Sequence, residues 1–238
     1  MERIDDLYIN SFRIYQDDGS FCFGTDAVLL YGMMPENCGR TVDLCSGNGA
    51  VALMLLAGKK AERVTAVELQ EKGCALMQKS ALLNGCEDTL KIVCGDICKI
   101  KEILLEQSFD TVCVNPPYFK KGSGLLPDDH GVATARHELY CTIDDVFSAA
   151  AFLLREGGDL YMVHRRAREK EILSKINKYD LFLYEIRRVF STPSKAGELI
   201  LIHAKKAVRT DTVKQSTFTV LNEDRSLSEA YKSIYGGK

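Results

Sequence analysis

The sequence predicts an open α/β fold, a mostly parallel sheet of seven strands with helices packed on it, and three observations carry that expectation. Short apolar runs alternate with helical patterns from residue 41 onward, the succession that builds parallel sheets through helical crossovers. Thr41-Val42-Asp43-Leu44-Cys45, Ser46-Gly47-Asn48-Gly49 and Ala50 to Ala57 read as strand, glycine turn and helix. The apolar run Phe109-Asp110-Thr111-Val112-Cys113-Val114 ends abruptly at Asn115-Pro116-Pro117-Tyr118, because two consecutive prolines cannot continue a sheet ladder. A rigid loop therefore stands at a strand's C-terminal end, where open α/β sheets bind their ligands.

Before the sheet, residues 8 to 23 alternate around Asp18-Gly19 and read as a hairpin, since Asp-Gly supplies the positive-φ positions of a tight turn. Thr25 or Asp26 can cap a short helix through Met33, with Pro35 to Arg40 leading into the sheet. The glycine turn brings backbone close to a ligand at the N-terminus of the helix that Gly58 closes. Gly47-Asn48-Gly49-Ala50-Val51-Ala52 fits the G-x-G-x-x-A spacing of dinucleotide binders, and Glu68 follows at the distance of a ribose-binding acid. At this point a nicotinamide cofactor is an open alternative.

Arg63 to Glu68 is the second strand, and its terminal carboxylate can accept both hydroxyls of a ribose. A helix over Gln70 to Asn84 is stopped by Gly85; Leu90 to Cys94 is the third strand, and Gly95-Asp96-Ile97 offers a second carboxylate, where an adenine amino group could be read. The Asn-Pro-Pro-Tyr strand is fourth, so Asp43, Glu68, Asp96 and Asn115 fall on one rim of one sheet. No histidine suited to the acid/base work of hydride transfer is so placed. Lys120 to His130 is the most loop-like stretch, a candidate substrate lid, and His130 is the histidine open to substrate. Thr142 opens a helix with Asp145 three residues on, a capping-box variant. Strands at Asp159 to Val163, Leu181 to Val189 and Glu198 to Ala204 complete the seven; after Lys206 the pattern weakens. This divides the chain into an N-terminal hairpin and helix (1–40), a core (41–206) and a tail (207–238).

The order Asp-Leu-Cys-Ser-Gly-Asn-Gly, Val-Glu-Leu, Gly-Asp-Ile, Asn-Pro-Pro-Tyr resembles the class I S-adenosylmethionine-dependent methyltransferases that modify exocyclic or amide nitrogens. Cys45 departs from their usual D-x-G-x-G-x-G, standing where the first glycine often does. Phe23-Gly24-Thr25-Asp26-Ala27-Val28-Leu29-Leu30, Ala135-Arg136-His137-Glu138 and Leu154-Arg155-Glu156-Gly157-Gly158 extend the likeness over roughly residues 8 to 205. In that compass it resembles the bacterial family that methylates N6 of an adenine in the anticodon loop of a valine tRNA. The resemblance implies a Rossmann-like fold whose seven-stranded sheet ends in a C-terminal antiparallel hairpin. It implies S-adenosylmethionine held by Thr25, Asp26, Asp43, Cys45, Gly47, Gly49, Glu68, Leu69, Asp96, Ile97 and Asn115. Asn115, Pro116, Pro117 and Tyr118 would be catalytic, with Phe119, Lys120, Arg136, His137, Arg165, Arg166 and Lys195 also meeting a tRNA substrate.

The Asn-Pro-Pro-Tyr loop does not by itself choose the acceptor, since an adenine amino group and a glutamine amide both present NH2 beside a planar π system. A protein-glutamine N5-methyltransferase is the alternative, disfavoured because such enzymes carry an extra module and only about forty residues precede Asp43. A catalytically silent RNA-binding module is the other. Composition agrees with one domain: 238 residues, 46% hydrophobic, net charge −2. Nine cysteines without a C-x-x-C pair indicate neither metal nor disulfides, and no signal or spanning segment is evident, so a cytoplasmic, metal-free monomer off the membrane is expected. Residues 155–214 hold fourteen Lys/Arg against eight acids, a candidate basic face. Arg136-His137-Glu138 reads equally as a surface ion-pair cluster, and His164 and His203 as packed residues.

Overall fold

The computed structural model describes residues 1–18, 22–117, 141–195 and 197–235. Two strands, β1 (Glu2–Asp6) and β2 (Arg13–Asp17), pair antiparallel and precede α1 (Thr25–Met33). The sheet is built from β3 (Thr41–Leu44), β4 (Val64–Glu68), β5 (Leu90–Cys94), β6 (Phe109–Val114), β7 (Leu154–Arg165), β8 (Leu181–Phe190), β9 (Leu199–Lys206) and β10 (Lys214–Thr219). Between them lie α2 (Ala50–Ala57), α3 (Glu71–Asn84), α4 (Ile100–Ile103), α5 (Ile143–Leu153) and α6 (Glu169–Lys175), and α7 (Glu229–Ile234) follows. Spatial order is β10-β8-β9-β7-β6-β3-β4-β5, and among these described strands β9 alone runs against its neighbours.

Side chains alternate between two cores as the period of two requires. Val42, Leu44, Val112, Val114, Leu160 and Met162 face one core with α5, whereas Cys113, Tyr161 and Val163 face the other with α1, α2 and α3. Thr142 caps α5 as predicted: its hydroxyl accepts from the Asp145 amide at 3.2 Å and the Asp145 carboxylate accepts from the Thr142 amide at 2.7 Å. Gly85 ends α3 at φ +62. The strand order reverses between β3 and β6, the switch point at which doubly wound sheets open a ligand crevice.

Three local expectations are corrected. Among the described residues the sheet has eight strands, not seven, because residues past Lys206 supply β10, which pairs parallel to β8. Its sequence, Lys-Gln-Ser-Thr-Phe-Thr, covers a sheet edge and buries no side chain fully, so it lacks an apolar run. The hairpin of β1 and β2 turns at residues 7–12, where the Leu7 amide donates to the Phe12 carbonyl at 2.9 Å and Tyr8, Asn10 and Ser11 take positive φ; Gly19 of the expected Asp18-Gly19 turn lies outside the described residues. Here non-glycine residues carry the left-handed turn. Gly24, not Thr25 or Asp26, is the N-cap of α1, with no side-chain hydrogen bond, and Thr25 is its first helical residue.

Candidate active site

The cavity at the switch point is built from the ends of β3, β4, β5 and β6. After Leu44 the chain turns sharply: Cys45 stands at φ +56, Gly47 at +59 and Gly49 at +83. Cys45 thus holds the left-handed conformation that a glycine would hold without strain, at a cost of roughly 1–2 kcal/mol. Ser46 secures the turn, its hydroxyl donating to the Asp43 carbonyl at 3.2 Å and the Val67 carbonyl at 3.0 Å. Gly73 in α3 lets the helix approach, since a Cβ there would lie 2.7 Å from the Gly47 carbonyl oxygen.

Glu68, only 5% exposed, is held by both oxygens: Oε2 accepts from the Gly47 amide at 2.7 Å and Oε1 from the Gln70 amide at 2.8 Å. Each oxygen keeps a second acceptor direction for a ligand. Burial pushes its pKa up against the pull of these amides. Asp96 accepts from the Cys98 amide at 2.9 Å and so caps the short turn Ile97–Lys99.

Asp43 is the unusual group. It is 1% exposed, its Oδ1 takes the Cys113 thiol at 3.6 Å, and its Oδ2 is buried with no hydrogen-bond partner among the described residues. Burial pushes its pKa up to about 7. An unpartnered buried oxygen is costly unless a ligand supplies a donor, and a cationic amino group would satisfy it. The residues present therefore fit a ligand with hydroxyls, an amino-bearing ring and a positive charge.

A pH dependence follows. A carboxyl whose folded pKa lies above its unfolded value near 4 contributes stability that is fully present below pH 4 and is lost as pH rises through about 7. The melting temperature of the ligand-free protein should fall from pH 5 to pH 8, with a slope of at most about 1.4 kcal/mol per pH unit from this group. Glu68, also raised, acts in the same direction. Asp43→Asn should flatten the profile in calorimetric melts; an unchanged slope would refute the assignment.

Asn115, Pro116 and Pro117 line the same cavity, as do Phe23, Ala27 and Cys141. Leu69 and Ile97 line it too; Thr25, Asp26 and Gly49 are not on its wall, Gly49 serving the turn as N-cap of α2. Tyr118, Phe119, Lys120, His130, Arg136 and His137 lie outside the described residues.

The family model described as the methyltransferase small domain matches residues 12–181. The chain belongs to that family. Among curated proteins, a Porphyromonas gingivalis protein is 29% identical over 89% of this chain and 85% of its own length, and an Aeromonas hydrophila protein is 26% identical over 97% and 95%. Both are named tRNA1(Val) (adenine(37)-N6)-methyltransferase. Among solved structures, a protein described as a predicted O-methyltransferase from Agrobacterium tumefaciens superposes with TM-score 0.68 at 20% identity, covering 90% of this chain and 96% of that one. TrmN from Thermus thermophilus superposes with TM-score 0.58 at 19% identity, covering 76% of this chain and 48% of that one. At these identities the structural likeness is one of fold. A methyltransferase family replaces the nicotinamide alternative that the G-x-G-x-x-A spacing left open.

In this methyltransferase Arg165 ends β7, which runs parallel to β6, and Arg166 opens the turn after it; both line a second depression with Gly197 and Glu198. Arg166 lies 6.0 Å from the Phe190 ring, and its amide donates to the Glu198 carbonyl at 2.8 Å. Lys195 is exposed in the loop between β8 and β9. The broader basic face is not one surface. Leu181 pairs with Lys206, and Val189 with Leu199, so Arg155, Lys205 and Lys206 stand at the end of the sheet away from Arg165, and Lys214, opposite Glu185, stands at the middle of β8. Many of the cations are also paired, Arg188 with Glu169 at 2.6 Å and Arg168 with Glu171 at 3.1 Å among them. Strands that reverse direction scatter what is contiguous in sequence.

The two described histidines, His164 and His203, are packed. His164 is fully buried, its Nδ1 accepting from the Arg165 amide at 2.7 Å, and burial lowers its pKa to about 4. His203 stacks on Tyr161 with centroids 4.6 Å apart and meets Asp159 at 2.6 Å. Sequence reasoning missed Phe23, Asn48 and Cys141 on the wall, and Gly73 behind it. A glycine inside an otherwise regular helix was the available signal for Gly73. Among the described residues, no helix is long and apolar enough to cross a membrane.

Proposed function

We propose that the chain transfers a methyl group from S-adenosylmethionine to N6 of an adenine in tRNA, by analogy with its relatives the adenine at position 37 of a valine tRNA, working as a cytoplasmic monomer without a resident metal. The observation that carries this reading is the position of Asn115-Pro116-Pro117, at the end of β6 on the wall of a cavity that Asp43, Glu68 and Asp96 also line. The donor supplies a methyl group already activated on a sulfonium. Glu68 accepts the ribose hydroxyls, Asp96 the adenine amino group of the donor, and the Asp43 Oδ2 its charged amine.

The lone pair of an adenine amino group is delocalised into the ring, so the nitrogen attacks only when drawn out of conjugation. The Asn115 side-chain oxygen and the Pro116 carbonyl accept its two hydrogens and do that work. Pro117 has no N–H, so no backbone donor competes for the same carbonyl region. Tyr118 stacks on the extruded base. Positioning in line then supplies much of the rate, and the proton leaves to water from a nitrogen made acidic by its positive charge.

Labelled donor incubated with total cellular RNA and protein should label tRNA, recovered as N6-methyladenine; label recovered in protein glutamine would establish the alternative acceptor, and no label at all the silent module. Arg165, Arg166 and Lys195 are the proposed phosphate contacts on the rim. RNA binding should weaken with salt by roughly 0.7 in log–log slope per single-strand phosphate neutralised. Arg165→Glu with Arg166→Glu should raise the RNA dissociation constant and flatten that slope while leaving donor binding unchanged. Full activity of the double variant on tRNA would remove these residues from the interface.

A further inference from the structure

Gln16 lies in β2, outside every motif, and is 2% exposed. Its Oε1 accepts from the Phe23 amide at 2.9 Å and from the Asn48 side-chain amide at 3.4 Å, and its Nε2 donates to the Asp5 carboxylate. The chemistry fixes the orientation of the amide: the Phe23 N–H can only donate and an ionised carboxylate can only accept. Phe23 and Asn48 both line the cavity, one from the approach to α1 and the other from the glycine turn.

Strand β2 is itself seated on α3, the helix that follows Glu68. The Tyr15 amide donates to the Ser80 hydroxyl at 2.9 Å. Asn84 takes the Arg13 amide at 2.8 Å and returns a donor to the Arg13 carbonyl at 2.6 Å. Lys72 of α3 pairs with Asp17. Gln16 therefore stands on a fixed strand and holds two pieces of cavity wall that belong to different segments of the chain.

We propose that Gln16 is a positioning residue for the donor: its buried side-chain oxygen clamps Phe23 to Asn48 and so makes the N-terminal hairpin part of the S-adenosylmethionine pocket. This rests on the donor reading of the cavity. Neither clamped residue belongs to the Asn115 loop, so the effect is on donor affinity and not on acceptor recognition. Replacing Gln16 by an apolar residue leaves the Phe23 N–H and the Asn48 amide without their shared acceptor, and the wall is no longer fixed in the shape the donor needs.

Titration calorimetry with S-adenosylmethionine on the full chain tests this. Gln16→Leu should raise the donor dissociation constant by about tenfold, on the order of one or two lost hydrogen bonds, while KM for tRNA at saturating donor stays at the wild-type value. Gln16→Glu should also bind more weakly, because its carboxylate meets that of Asp5. The Asp5→Asn/Gln16→Glu double variant should restore binding: it keeps an acceptor for Phe23 and Asn48 and reverses the polarity of the third bond. Wild-type donor affinity in Gln16→Leu overturns the proposal, whatever happens to its melting temperature. If Gln16→Leu does not fold, a folded double variant that fails to restore binding overturns it equally. Wild-type protein that binds no S-adenosylmethionine overturns the cavity reading and this inference with it, an outcome distinct from both.

Discussion

Asn115→Ala is expected to lower turnover on the true acceptor by on the order of 10²–10³-fold, the loss typical of removing one hydrogen-bonding group that acts in the transition state. The acceptor nitrogen gains nucleophilicity only while both of its hydrogens are held, and Ala leaves the Pro116 carbonyl to act alone. Donor affinity should change little, because the groups assigned to the donor are Asp43, Glu68 and Asp96, at the ends of other strands. Asn115→Asp keeps an acceptor oxygen at the same place and should retain more activity than Ala. Single-turnover assays at saturating donor, with calorimetry in parallel, separate the two effects. Near wild-type turnover in Asn115→Ala would show that the loop does not activate the acceptor.

Glu68→Ala should be the most damaging change on the donor side. Two losses add. The ribose hydroxyls lose a charged acceptor, and the Gly47 and Gln70 amides, 2.7 and 2.8 Å from its oxygens, lose the group that orients the glycine turn. Hydrogen bonds to a charged group are worth about 1.5–3 kcal/mol, which corresponds to roughly a tenfold to 150-fold rise in the donor dissociation constant. Glu68→Gln retains the shape but turns an NH2 toward one of the two amides, so a donor faces a donor there. It should weaken binding too, and by less. Melting curves without ligand report how much of the loss belongs to the fold. Binding of S-adenosylmethionine by Glu68→Ala at wild-type strength would exclude Glu68 from the ribose site.

Both expectations concern residues that could be read before any coordinates were known, and for a physical reason. A strand that ends in a carboxylate, a double proline or a glycine pair announces its end locally, and in a parallel sheet all such ends lie on one rim. Asp43, Glu68, Asp96 and Asn115 were legible in that way. Thr142 and Asp145 were legible because a capping box is completed within four residues. The turn of the first hairpin was not, because Tyr8, Asn10 and Ser11 take a left-handed conformation that their residue types do not advertise. The edge strand Lys214–Thr219 was not, because its partner β8 supplies the hydrogen bonds and its own side chains bury little.

Local order along the chain thus specified the sheet's succession of strands, the rim that carries the chemistry and the acids that stand on it. Other properties depend on distances between residues far apart in sequence. Gly73 matters because α3 brings it against the Gly47 carbonyl. Asp43 is raised to about pH 7 because the packed sheet excludes water from it and leaves one of its oxygens without a partner among the described residues. Gln16 reaches the pocket because β2 is fastened to α3. Lys205 and Lys206 lie at the end of the sheet away from Arg165 because β9 runs against β7 and β8. Periodicity and turn chemistry act over a few residues and can be read in order, whereas burial, close approach and shared hydrogen bonds exist only once the chain has folded back on itself.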